Sequence, residues 1–146
     1  MRVAAILTTL ALAFPAYAAE YVGQVKTAHG DVHLQRDGQT LAVTPGMGVQ
    51  QSDTIRTGAD GAVGVTFTDN SLLSAGPNTV LAIDRYAFNS TTHAGQFDAS
   101  VGQGTVAVVS GNIVKQTPEA MRIHTPASIM GVRGTEFVVR VNDSGN

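Results

Sequence analysis

Apolar and polar residues alternate with a period of two along much of the chain, which is the repeat of a half-buried β-strand. In Gly61-Ala-Val-Gly-Val-Thr-Phe67 the side chains of Val63, Val65 and Phe67 share one face, and in Thr135-Glu-Phe-Val-Val-Arg-Val141 those of Phe137, Val139 and Val141 do. Both faces are expected to point into a core. Further strands are expected at Tyr21 to Thr27, Gly30 to Arg36, Leu41 to Val43, Thr54 to Arg56, Leu72 to Ser74, Val80 to Asp84, Gln96 to Val101, Thr105 to Ser110 and Met121 to Thr125. Turn chemistry separates them: Asp37-Gly38, Pro45-Gly46, Asp60-Gly61, Asp69-Asn70, Gly76-Pro77-Asn78 and Ser110-Gly111-Asn112 each supply tolerance of positive φ or a fixed φ. The 16 glycines, with prolines at 45, 77, 118 and 126, break any long helical pattern. The expectation is an all-β domain of short strands. Strand-turn units recur roughly every ten residues without a strict repeat, so a β-sandwich and a β-solenoid-like arrangement both stay open.

The first 18 residues stand apart from this pattern. Met1-Arg2, the apolar run Val3 to Phe14 and the small-residue site Ala16-Tyr17-Ala18 form a secretory signal peptide. An uncleaved anchor is the competing reading, but the apolar run falls short of the ~20 residues that cross a bilayer as a helix. The expected mature domain is therefore residues 19–146, periplasmic or secreted from a bacterium, without a stable membrane anchor. Loss of Arg2 leaves 8 Lys and Arg against 11 Asp and Glu, a net charge of −3 with no basic run, which argues against nucleic-acid binding.

No cysteine occurs, so disulfides, thiolate metal sites and cysteine nucleophiles are excluded together. Stability must come from apolar packing and backbone hydrogen bonds. His29, Asp31 and His33 alternate and would project from one polar strand face, yet no fourth ligand is indicated and a solvated face accounts for them; no metal or cofactor is expected. No nucleophile elbow, phosphate-binding glycine loop or metalloprotease helix is present, and Asp69 with Ser71 in a turn reads as backbone capping, not as an enzyme site.

That leaves binding. A protein-interaction module is the leading expectation and a glycan- or cell-wall-binding module the alternative, since the chain has no Trp to build an aromatic platform. Tyr86 and Phe88 are the expected exposed aromatic pair. Self-association is a third reading, because the run Val101 to Val114 carries no charge and would be adhesive at a sheet edge.

Several strings stand out in order: Ile55-Arg-Thr-Gly58, Val65-Thr-Phe-Thr-Asp-Asn-Ser71, Gly76-Pro-Asn-Thr-Val-Leu81, Thr125-Pro-Ala, and Gly131-Val-Arg-Gly-Thr-Glu-Phe137. The series resembles the FecR domain, from near Val22 through the rest of the chain, with residues 131–137 the most specific part. The resemblance implies an extracytoplasmic all-β domain, best known from the periplasmic half of regulators that read an outer-membrane TonB-dependent receptor. Those regulators carry a cytoplasmic anti-sigma segment and a membrane helix before the domain, where this sequence has a leader, so direct sigma-factor control is not expected. Two departures are local: Ser52-Asp53 stands where the family often has Gly-Asp, and Asp69-Asn70-Ser71 where it often has Asp-Gly-Ser. Asn70 can take a left-handed turn; Ser52 costs more than glycine if its position needs positive φ, though serine is common in turns of ordinary hand, so the fold is not in question.

Roles for these motif residues follow from their chemistry. Asp53 and Asp69, with Ser71, sit at strand entries where a short carboxylate accepts hydrogen bonds from turn N–H groups. Gly131 and Gly134, followed by Thr135, bracket Arg133 and allow tight turns on both sides of it. The guanidinium then serves either as a turn staple onto carbonyls or carboxylates, or, with Glu136 beside it, as a docking contact for an envelope protein.

Overall fold

The structure, a computed structural model, describes residues 20–132 and 134–142. The leader over residues 1–18 and Arg133 lie outside the described residues. In chain order the elements are β1 (Gly23–His29), β2 (Val32–Arg36), β3 (Gln39–Ala42), β4 (Gly48–Val49), β5 (Thr54–Thr57), β6 (Ala62–Phe67), β7 (Leu72–Ala75), β8 (Val80–Phe88), β9 (Gly95–Val109), α1 (Asn112–Gln116), β10 (Met121–His124), β11 (Ile129–Gly131) and β12 (Glu136–Val141). Among the described residues no helix is long and apolar enough to cross a membrane.

Alternation in the sequence becomes alternation in burial. Val63, Val65 and Phe67 are buried along β6, and on β12 Val139 is buried while Phe137 and Val141 pack half-buried against the core. The strands form one curled sheet in the order β3-β2-β5-β8-β9-β7-β6-β1-β4, to which β10 and β12 are added at β9 and β11 at β10. A solenoid would stack its strands in parallel. Here the parallel pair is β9 with β10, and the other pairs are antiparallel, so the chain curls one antiparallel sheet over a core in sandwich fashion.

The curl is made by β9. Two separate strands were expected over this stretch, but Gly102 to Gly104 does not break the chain's extension; it resets its phase. Phe97, Ala99 and Val101 are buried, then Val106 and Val108. Odd positions give way to even ones, which requires one inserted residue; the β-bulge falls at Gly102, skipped between the Leu81–Val101 and Val80–Gln103 pairs, and is followed by Gly104 with φ of 92°. A Cβ there would lie 2.2 Å from Thr79 Oγ1. The bulge lets β9 pair first with β8 and then with β7 while keeping one face inward. Between the two halves of the sheet Phe67, Tyr86 and Phe97 meet with ring centroids 4.6 to 5.5 Å apart, in tilted and edge-on contacts.

The uncharged run Val101 to Val114 is not an edge, as the self-association reading required. Its strand part is paired on one side by β7 and on the other by β12, and its last residues enter α1.

Candidate interaction site

The motif carboxylates face inward. Asp69 and Ser71 have no solvent exposure, and Asp69 lies in the turn between β6 and β7 that Asn70 closes with φ of 69°. Asp69 Oδ1 accepts from the Ser71 N–H at 3.1 Å and the Tyr86 hydroxyl at 3.0 Å; Oδ2 accepts from Ser71 Oγ at 2.7 Å and the Ile113 N–H at 3.3 Å. Ser71 Oγ in turn accepts from the Gly111 N–H at 3.0 Å. A Cβ at Gly111 would meet the Asp69 carbonyl at 2.3 Å, so a glycine is needed for this approach. One carboxylate thereby ties the β6–β7 turn to β8 and to the start of α1.

Asp53, 1% exposed, is held differently. Arg36 donates through Nε to Oδ1 at 2.9 Å and through Nη2 to Oδ2 at 2.6 Å, and the Gln50 N–H reaches Oδ2 at 2.7 Å. This is a two-pronged pair with fixed geometry, and the hydrogen bond to Asp53 holds the guanidinium above its ordinary pKa. The preceding Ser52 has φ of 74°, so of the two alternatives the turn is the left-handed one, and the serine bears the strain a glycine would relieve.

Tyr86 is not exposed. It is 7% accessible, and its hydroxyl accepts from the Asp69 N–H at 2.9 Å and lies 2.9 Å from Thr68 Oγ1. Burial pushes the phenol above its ordinary pKa. The inversion has a local cause: a register shift between Ile83 and Arg85 changes which side of β8 faces the core. Phe88 is half-buried and stacks on His93 at 6.0 Å. The exposed aromatic is Tyr21, 54% accessible, whose ring lies over Gly48. His29 ends β1 while Asp31 and His33 follow the left-handed Gly30, so the three do not share a strand face; His33 Nδ1 instead lies 2.8 Å from Asp31 Oδ1. Among the described residues no three His, Cys, Asp or Glu are grouped to hold a metal.

The remaining motif residues gather at the C-terminal end. Gly134 has φ of 93°, but Gly131 lies in β11 opposite Arg122 without positive φ, so the tight turn falls on one side of position 133 and not on both. Ser110 anchors the loop: its Oγ donates to the Gly134 carbonyl at 2.9 Å and its N–H to the Thr135 carbonyl at 2.8 Å. Glu136 is exposed at the start of β12. Since β10 flanks the first half of β9 and β12 the second, the two diverge, and a groove of about 540 Å³ opens between the β10–β11 hairpin and β12, with Ser128, Met130 and Val138 on its walls. Met130 at 36% and Val138 at 63% exposure line it, and Ile129, 67% exposed, lies between Ser128 and Met130 on the hairpin. Neither Ile129 nor Val138 carried a sequence signal; both read as ordinary members of apolar stretches.

No curated protein and no solved structure matches the chain. The family model described as FecR protein matches residues 53–146, which takes in both motif carboxylates and the whole C-terminal groove. The chain belongs to the FecR family.

Proposed function

We propose that this chain is a non-enzymatic, exported interaction domain of bacterial-envelope signalling, and that it docks a protein partner through the β10–β11 hairpin. FecR proteins form a regulatory family, which supports a signalling role. The observation that carries the reading is where the exposed apolar groups fall. Of five exposed large hydrophobic side chains among the described residues, two (Met130 and Val138) line one groove and a third, Ile129, lies on the same hairpin, whereas Asp53, Asp69 and Ser71 are consumed by internal hydrogen bonds. Exposed apolar clusters of this kind mark interaction sites.

The test places a photo-crosslinking residue at Met130, on the groove wall, in the protein expressed in its envelope, with Gln39 on the far edge strand β3 as control. The expected result is one protein adduct that depends on position 130 and is lost on adding Val138→Asp with an unchanged circular dichroism spectrum. Adducts with glycan alone would establish the cell-wall alternative, and equal labelling from both positions would refute a site at this hairpin.

A further inference from the structure

We infer that β12 is a self-recognition edge, pairing antiparallel with β12 of a second copy about a two-fold axis through Val138. The inference shares Val138 with the hairpin reading but rests on the unpaired backbone edge of β12 and not on β11.

Hydrogen-bond phase shows which groups are free. The Ser110 N–H bonds the Thr135 carbonyl, so 135 is a hydrogen-bonded partner of 110, and by alternation 137, 139 and 141 point their N–H and C=O groups at β9. The other side of β9 agrees: the Gly76 N–H bonds the Thr105 carbonyl, which assigns 105, 107 and 109 to β7. Glu136, Val138 and Arg140 therefore direct their backbone groups away from the sheet, where no described element pairs with them. Their side chains are exposed on the same outer face.

The charges on this edge are placed to match themselves. In an antiparallel pair centred on Val138, Val138 meets the partner's Val138 and Glu136 meets the partner's Arg140, twice by symmetry. A shift of two residues in either direction sets a charge opposite a valine, and a shift of one turns the side chains to the wrong face. Neither Glu136 nor Arg140 is engaged in an ion pair within the described chain. Leu72, Val109 and Ala107 continue the same outer face inward from Val138, an uncharged surface that a second sheet would extend.

The area is small, so the dimer should be weak, with Kd between ~10 μM and ~1 mM. Sedimentation velocity of the mature protein over that range is expected to show a reversible monomer–dimer equilibrium. Val138→Pro removes an N–H that the fold does not use and should abolish it while circular dichroism is retained. Glu136→Arg and Arg140→Glu should each weaken self-association on the order of tenfold, since each sets like charges opposite one another. Mixing the two variants should restore a heterodimer, because every opposed pair is then of opposite sign. A protein that stays monomeric throughout, a dimer indifferent to Val138→Pro, or charge variants that fail to recover on mixing would each overturn the inference.

Discussion

Asp69→Ala is the sharpest probe of what holds the two halves of the sheet together. The substitution removes four acceptor contacts at once. Two of the donors are buried backbone N–H groups, at Ser71 and Ile113, whose acceptor is the Asp69 carboxylate, and each costs ~1–3 kcal/mol when orphaned. The Ser71 and Tyr86 hydroxyls also lose their acceptor, although each can rotate. The sum is ~4 kcal/mol, a large share of the ~5–15 kcal/mol typical of a domain.

Urea unfolding followed by far-ultraviolet circular dichroism reads this directly. With a slope of ~2 kcal/mol per molar, the midpoint should fall by ~2 M at unchanged slope. Asp69→Asn keeps one oxygen toward Ser71 and Tyr86 but turns an N–H toward that of Ile113, so about half the loss is expected. Amide exchange at Ile113 should accelerate more than at Val65, because α1 loses its tether while the β6 ladder stays. A loss under ~1 kcal/mol for Asp69→Ala, or an Asn variant weaker than the Ala variant, would refute the reasoning.

Four further outcomes follow from the same geometry. Ser52→Gly should stabilise by ~0.5–1 kcal/mol, a rise of a few degrees in Tm, because the left-handed φ of 74° then costs nothing. Arg36→Met should destabilise by ~3–5 kcal/mol in urea unfolding, since it leaves Asp53 buried and half-satisfied, and adding Asp53→Asn should recover part of the loss. Gly104→Ala should cost ~2–4 kcal/mol, from a positive φ and a collision with Thr79, measured as a lowered Tm. The raised Tyr86 pKa means the folded state keeps a proton the unfolded state gives up: its contribution is intact below pH ~10 and is lost above it at up to ~1.4 kcal/mol per pH unit, a slope that Tyr86→Phe should remove from alkaline stability curves.

Strands with clean alternation were legible because burial repeats the pattern residue by residue, as at Val63, Val65 and Phe67. What escaped the pattern did so for local reasons. β4 has two residues and β11 three, too short to show a period, and α1 has five, nucleated by the Asp69 carboxylate and carbonyl and not by helix propensity. Tyr86 read as exposed because alternation from Leu81 and Ile83 would bring Arg85 inward, and only the irregularity between Ile83 and Arg85 reverses it. Glycines at 102 and 104 read as a strand boundary, yet one of them is a bulge inside a 15-residue strand. The carboxylates at 53 and 69 could be placed at turns from sequence, but Arg36 and Ile113 as their partners could not, since the contacts close loops of 17 and 44 residues.

The bulge in β9 also decides where the molecule is open. By turning the strand from one half of the sheet to the other it gives β10 and β12 adjacent stretches of the same side of β9, and strands docked on a turning support must splay. The price of a curled core is therefore a gap between two edges, and no described element closes it. The other edges are β3, whose four residues include two exposed glutamine and threonine side chains, and β4, two residues long. Edge strands of soluble proteins are defended by shortness or by charge. β12, with six residues and three valines, is defended by neither length nor like charge: its Glu136 and Arg140 are of opposite sign and evenly spaced about Val138, which excludes most registers of pairing and favours one. An edge protected against every partner would carry one sign throughout; this one discriminates among partners, as a recognition surface must.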